Sequence, residues 1–307
     1  MRALVTGGAG FIGSHLTDAL VARGDEVTVV DHLSRGHADN LDDACAKGAV
    51  VVRADVTDTK AMIEVFEERR PEVVFHLAAQ IDVRRSVDDP AYDAHVNVGG
   101  TAAILTAARG VGVQRVLLAS TAGVYGDPEP VPTPETAAVA PLSPYGASKA
   151  AAESYLQLFG RLHGLSTLAL RMSNVYGPRQ NPHGEAGVIA IFCGAAAEGK
   201  PATIFGDGQQ SRDFVFVGDV VEAFIAAAAS DAEGAINVST GRETTLARLA
   251  ETLALATVAG PERLDEVRRS CLTPALAAER LGWQARTSLA DGLKLTLSAL
   301  AVGATTP

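Results

Sequence analysis

Cysteine is scarce in this chain of 307 residues: Cys45, Cys193 and Cys271 lie far apart, and no C-x-x-C occurs. An odd, dispersed set makes neither a disulfide framework nor a thiolate metal site, so reduced structural thiols are expected. The seven histidines are scattered as well, without a His-x-x-x-His pair or a His/Cys cluster, and no metal centre is expected. Basic residues are outnumbered, 26 Lys and Arg against 36 Asp and Glu, for a net charge of −10 and no basic cluster. That balance argues against nucleic acid or an anionic membrane as partner. No apolar run reaches the roughly 18 residues of a membrane span, and the chain starts directly on an apolar strand, without a signal-like segment. A cytoplasmic location is the expectation. Internal repeats and low-complexity linkers are missing too. What is present is 47% apolar and 20% charged residues, the mixture of a globular protein with a sizeable core, in a length suited to one large or two modest domains.

The chain is organised around residues 2–31. A short apolar strand, Ala3-Leu4-Val5, leads into Thr6-Gly7-Gly8-Ala9-Gly10-Phe11-Ile12-Gly13, then a helical pattern through Leu16 and Leu20, then an apolar strand over 27–30 ending at Asp31. Each part has a physical reason. Gly8 is expected to make the tight turn, Gly10 to let the backbone approach a pyrophosphate, and Gly13 to let helix and strand pack closely. The helix N-terminus offers free N–H groups to phosphate. Asp31, about 20 residues on, is expected to accept hydrogen bonds from the adenosine ribose, which favours NAD over NADP.

Further along, a polar loop over 32–40, with His32 and Ser34, is expected beside the adenosine. Residues 49–53 read as a buried strand that leads to Asp55 and Val56, near the adenine. A helix over 61–69 and a strand over 73–76 follow, ending in Leu77-Ala78-Ala79-Gln80, small residues suited to close cofactor approach. Residues 90–110 read as one long helix holding Asn97, and 115–119 as a strand ending at Ser120-Thr121. This alternation predicts an α/β fold, a Rossmann-type doubly wound parallel sheet with helices on both faces. A proline-rich stretch over 127–144 reads as a surface loop closing over a site, and 143–163 as a strong helix. The texture changes at Asn174. The expected division is a dinucleotide-binding domain over 1–173 and a smaller α/β substrate-binding region over 174–307, some of whose segments return to the first sheet. A strand over 168–171 closes the first domain; in the second region helices are expected over 187–199, 219–229 (capped near Gly218-Asp219), 246–256, 274–281 and 290–300, with strands over 214–217 and 236–238 and a frayed tail from Gly303.

Tyr145-Gly146-Ala147-Ser148-Lys149 places Tyr and Lys on one face of a helix. A phenol with pKa about 10 is a poor base at neutral pH. A nearby ammonium and the positive charge of an oxidised nicotinamide both favour the phenolate. Thr121 is placed to hydrogen-bond the reacting oxygen. A serine nucleophile elbow at Ser148 is excluded by its helical setting.

Together with His76-Leu77-Ala78-Ala79, Asn174-Val175-Tyr176-Gly177-Pro178-Arg179 and Arg212-Asp213-Phe214-Val215, these motifs resemble those of extended short-chain dehydrogenases/reductases. Within that group the chain is most similar to nucleotide-sugar epimerases of the UDP-glucose (UDP-galactose) 4-epimerase type, over nearly its whole length. The resemblance implies tightly bound NAD and a UDP-sugar substrate. It implies that Tyr145 takes the proton of the sugar 4-hydroxyl, that Lys149 lowers the tyrosine pKa and holds the nicotinamide ribose, and that Thr121 binds the 4-oxygen. The 4-keto sugar then turns over and receives hydride on its other face. It also places Asn174 and Val188 at the substrate, Arg212 on the diphosphate, and Thr203 and Phe205 against uracil. Plain core remains the other reading for Phe205. Arg263 is either a second phosphate arginine or a solvated charge. A homodimer through the helices over 90–110 and 143–163 is implied as well.

Two departures shape the specificity reading. Ala122-Gly123 stand where related 4,6-dehydratases carry Asp-Glu, and neither transfers a proton, which opposes dehydration. Arg84 and Arg85 lie near the expected sugar C6, where they either accept a carboxylate, contact a cofactor phosphate or stand as a solvated pair. UDP-glucuronate 4-epimerase and UDP-glucuronate decarboxylase are therefore the alternative enzymes. A non-catalytic NAD-sensing protein is the alternative from another class, opposed by the retention of both Tyr145 and Lys149. Met172-Ser173 replace larger aromatics common in the family and leave more room at the sugar.

Overall fold

The structure, a computed structural model, describes residues 1–182, 187–262 and 267–303. Its first half runs β1 (Arg2–Thr6), α1 (Phe11–Ala22), β2 (Glu26–Val30), α2 (Asp42–Ala46), β3 (Val50–Val52), α3 (Thr59–Arg69), β4 (Val73–His76), α4 (Val83–Asp88), α5 (Pro90–Ala94), α6 (Gly100–Val111), β5 (Arg115–Thr121), α7 (Pro144–His163) and β6 (Ser166–Met172). The second half runs β7 (Asn174–Tyr176), α8 (Val188–Ala197), β8 (Ala202–Phe205), β9 (Ser211–Phe216), α9 (Val217–Ala229), β10 (Gly234–Val238), β11 (Glu243–Thr245), α10 (Leu246–Thr252), β12 (Thr257–Gly260), β13 (Arg269–Ser270), α11 (Ala275–Leu281) and α12 (Leu289–Gly303).

Seven strands form one parallel sheet in the order β10-β6-β5-β4-β1-β2-β3. Successive side chains of a strand point to opposite faces, and the core divides accordingly. Ala3, Val5, Val73, Phe75, Leu168 and Leu170 pack with Leu16 and Leu20 of α1 and Phe224 of α9. Leu4, Val74, Val116, Leu118 and Ala169 pack with Phe66 of α3, Ile104 of α6 and Leu156 of α7. The sheet is thus covered on both sides, as the near-continuous apolar strands require. Strand order reverses between β4 and β1, which opens a crevice at the strand C-termini where such sheets bind ligands. β9 carries β11, β13 and β7 in a small mixed sheet, and β8 pairs with β12. These pack on α8, α10 and α12 around Phe192, Tyr176 and Leu249. β10 crosses back from this region to the edge of the main sheet.

Several sequence expectations are corrected here. The helix predicted over 90–110 is interrupted: His95–Gly99 form a π-helical turn in which the Gly100 N–H reaches back to the His95 carbonyl. β3 is an exposed edge strand and not a buried one, with Val50 39% and Val51 37% exposed. The helix predicted over 246–256 ends at Thr252, and Ala254 turns left-handed with φ 48° ahead of β12. α9 begins at Val217, and Asp219 does not cap it: its carboxylate accepts hydrogen bonds from the Arg286 and Thr287 N–H groups. The proline-rich loop packs away from the crevice, with Thr133 bonded to Cys271 and Thr273 and the Glu135 carboxylate accepting from the Asn237 N–H. Among the described residues no helix is long and apolar enough to cross a membrane.

Candidate active site

The glycine turn is built by close contacts. Gly7, not Gly8, takes the left-handed conformation, with φ 70°, and its N–H bonds Val30 O at 2.8 Å. Gly8 is needed for another reason, since a Cβ there would lie 2.6 Å from Val29 Cγ1. A Cβ on Gly13 would sit 2.1 Å from the Gly7 carbonyl oxygen, so the first turn of α1 presses directly on the loop. Gly10 is the N-cap residue and offers no side-chain cap, which leaves first-turn N–H groups for an anion. Asp31, only 7% exposed, receives the Ala9 N–H at 3.0 Å and the Leu33 N–H at 2.8 Å, one on each carboxylate oxygen. Each oxygen keeps a lone pair for a ribose hydroxyl.

From this turn a cleft of about 760 Å³ runs along the strand C-termini. Gly7, Gly10, Phe11, Ile12, Gly13, Asp31, His32, Ser34, Asp55 and Val56 line one arm; Leu77, Ala78, Ala79, Gln80, Ser120, Thr121, Tyr145, Lys149, Asn174 and Val188 continue it. The glycine cradle, the free helix N-terminus and the carboxylate of Asp31 together fit a dinucleotide.

Asn97 sits behind the wall. Its side chain accepts from the Gln80 N–H at 2.8 Å, donates to Gln80 O at 3.0 Å and donates to Ser148 Oγ at 2.9 Å. The π turn thereby joins the segment after β4 to the helix of Tyr145. His76 links the same turn to β1. The Thr101 hydroxyl donates to Asn97 O, so His76 Nε2 donates to Thr101 and its Nδ1 accepts from Thr6. Burial, with Lys149 nearby, holds the imidazole pKa down at about 3, so the ring is neutral.

α7 starts on Ser143, whose hydroxyl accepts the Gly146 N–H, followed by Pro144 in the first turn. Tyr145 and Lys149 then project toward the end of β5. The Thr121 side chain lies close enough to the Tyr145 phenol to lower its pKa, and it accepts the Gly123 N–H at 3.1 Å. Lys149 Nζ donates to Ala119 O at 2.9 Å. Loss of water around it pulls the ammonium down to about 8 against the carboxylates of Asp93 and Glu153. The phenol stands above its ordinary value, at about 12: removal from water raises it, Thr121 lowers it, and Asp93 raises it. Without cofactor the tyrosine is therefore a protonated acid.

The profile of the NAD dependent epimerase/dehydratase family matches residues 3–239. The chain belongs to this family. Among its relatives is the UDP-glucose 4-epimerase of Mycolicibacterium smegmatis, 48% identical over 97% of both chains. The crystal structure of a UDP-glucose 4-epimerase from Thermotoga maritima with UDP-glucose superposes with a TM-score of 0.95 at 43% identity, over 99% of this chain and 100% of that one. The Thermus thermophilus UDP-glucose 4-epimerase complex with NAD gives 0.90 at 43% identity, over 98% and 99%.

Within this epimerase/dehydratase chain some expected residues lie off the cleft wall. Arg85 lines it and Arg84 does not. Consecutive residues of a helix diverge by about 100°, and in α4 it is Arg85 that turns inward, its guanidinium 4.2 Å from the Tyr92 ring centroid. Thr203, Phe205 and Arg212 are also absent from the wall; Arg212 donates to the Ser211 carbonyl at 2.8 Å. Arg263 lies outside the described residues. The sequence reading missed Arg35, Tyr92, Arg179 and Gln180, which all face the cleft. Polarity next to the Asp31 loop and next to Pro178 was the available signal. Ala122 and Gly123 form a tight turn after β5 and supply no acid or base.

Proposed function

We propose that the chain interconverts UDP-glucose and UDP-galactose by epimerisation at C4. The observation that carries this reading is the convergence of Thr121, Tyr145 and Lys149 at one end of a dinucleotide cleft, with no proton-transferring side chain at 122 or 123. The kinship with UDP-glucose 4-epimerases supports it. Bound NAD supplies a hydride acceptor that later becomes the donor. Tyr145 removes the 4-hydroxyl proton and returns it after the sugar has turned over. Thr121 holds the 4-oxygen at both stages, and Lys149 keeps a positive charge beside the phenol. Asn174, on the far arm of the cleft with Val188 beside it, meets the diphosphate and sugar of the substrate. We divide the chain at 173/174 by role, with the cofactor and the Thr121, Tyr145 and Lys149 chemistry before and mainly substrate binding after.

The test is an NMR time course of the purified protein with UDP-glucose, UDP-galactose and UDP-glucuronate in separate tubes. Inversion at C4 without net NADH is expected for the first two. Carbon dioxide and a pentose product from the third would replace the reading with decarboxylation. No turnover of any sugar after NAD addition would remove the substrate altogether.

Cofactor choice has its own test. Asp31→Ala is expected to weaken NAD relative to NADP, since a carboxylate repels a 2′-phosphate. It also frees the Ala9 and Leu33 N–H groups, so binding of both cofactors should fall. An unchanged preference in a competition assay would refute the ribose role.

The protein is further assigned as a homodimer. Tyr155, Leu158 and Leu162 of α7, spaced by three and four, leave 39%, 39% and 70% of their surface exposed in one stripe. Burying that stripe against a second copy removes it from water. Sedimentation as a monomer at micromolar concentration would remove the assignment. Three free thiols fit a reducing, cytoplasmic setting.

A further inference from the structure

Strand order places the glycine turn after β1 between the ends of β2 and β4. An ion pair joins the segments on either side of it. Arg35, in the loop after β2, donates from Nη2 to Asp82 Oδ2, in the segment after β4, at 3.3 Å. Arg35 faces the cleft, as do Gln80 and Ile81 beside Asp82. A dinucleotide extended from Asp31 to Tyr145 would place its pyrophosphate at the glycine turn, between the two segments that this pair joins.

The two ends differ in rigidity. Asp82 is held on three sides: its N–H donates to Gln80 Oε1 at 2.7 Å, its carbonyl accepts Gln80 Nε2 at 2.8 Å, and its other carboxylate oxygen caps α4 by accepting the Arg85 N–H at 2.9 Å. Gln80 is in turn fixed by the buried Asp93 carboxylate at 2.9 Å. The backbone at Arg35 is clamped as well, because the neighbouring Gly36 lies against Ala9 and the His37 N–H donates to Ala9 O. The moving part is the arginine side chain alone, 52% exposed against 11% for Asp82.

We propose that Arg35 and Asp82 form a strap over the cofactor pyrophosphate that slows NAD release. The proposal rests on the reading of the cleft as an NAD site. An epimerase must return hydride from the same cofactor molecule that took it, so losing the reduced form mid-cycle strands a 4-keto sugar. A planar guanidinium can bond a carboxylate and a phosphate oxygen at once. The pair is solvent-facing and weak enough to open by one side-chain rotation.

The experiment follows release of etheno-NAD from the loaded protein on dilution into excess NAD, without any sugar. Failure of the UDP-sugar assignment therefore leaves this measurement intact. Arg35→Ala is expected to speed release by about two- to fivefold, the range of an exposed ion pair. Asp82→Asn keeps a capping side chain and should give a similar or smaller increase. The double variant should release no faster than Arg35→Ala, because the two groups act through one contact. Added salt should speed release from the wild type and leave Arg35→Ala unchanged. Unchanged rates in both single variants overturn the strap, as do effects that multiply in the double variant. A wild-type protein that retains no etheno-NAD overturns the cofactor reading and the strap together.

Discussion

Replacing Tyr145 by Phe is expected to lower kcat by at least about a hundredfold, the usual contribution of a positioned acid–base group, while NAD stays bound. The ring still fills its place beside Thr121, and only the hydroxyl that moves the proton is lost. The direction of the pH effect follows from the phenol. Its pKa is about 12 in the protein alone, and the reactive form is the phenolate, so activity is gained as pH rises through the pKa of the complex. A cationic nicotinamide beside the ring lowers that value. Phenolate absorbance should therefore show one early-titrating tyrosine in NAD-loaded protein. That band should vanish in Tyr145→Phe and move toward pH 12 in protein stripped of NAD. Near-full activity in Tyr145→Phe would end the assignment of the base.

The largest loss of stability is expected at Glu153, one turn beyond Lys149 on α7. It is 3% exposed, and Arg171 of β6 is 5% exposed. Arg171 donates from Nε at 3.0 Å and Nη2 at 2.6 Å to the two oxygens of Glu153, and Ser120 Oγ donates to Oε1 at 2.5 Å. Arg171 Nη1 also reaches the Tyr125 hydroxyl at 2.9 Å, which donates to Asn237 Oδ1 of β10 at 2.8 Å. One carboxylate thus ties α7 to β5 and β6, and the chain of bonds continues to β10. Glu153→Ala leaves the guanidinium buried without its counter-charge, a loss of about 3–5 kcal/mol. Replacing both partners, as Glu153→Leu with Arg171→Met, should recover most of that, because desolvation offsets much of the pair's attraction. Denaturant titration of the three proteins decides the matter. A single-variant loss below about 1 kcal/mol would show that water or backbone groups take over the arginine's bonds.

The same helix illustrates what the amino-acid order announces and what it hides. Tyr145 and Lys149 are legible because a spacing of four is a property of any helix, and Ser143-Pro144 mark its start. The turn over 7–13 is legible because each glycine answers to a close approach, although which glycine takes the positive φ depends on contacts with Val29 and Leu77-Ala78 that lie far away in the chain. Arg84 and Arg85 cannot be told apart without the rotation of α4, and that rotation is set by Asp82 and by the packing of Ser86. β11, β12 and β13 are two to four residues long, too short to carry a period. The edge position of β3 is a matter of sheet order, to which an apolar run of valines is blind. The proline-rich loop looked like a cover for the site because composition reports irregular backbone and not its direction.

The π turn at His95–Gly99 has a consequence for chain length. Such a turn is a helix carrying one surplus residue. Removing any one residue between 95 and 99 would let α5 and α6 merge into a regular helix, at little cost to the backbone. It would also rotate everything before the cut by about 100° about the axis. Asp93 would leave Gln80 and Tyr92 would leave Arg85, with the sheet untouched, and a cut at or after Asn97 would also break its bridge to Ser148. Here the count of residues is under tighter constraint than their identity, and a deletion scan should find a frame in which a folded, inert protein differs from the active one by a single missing peptide unit.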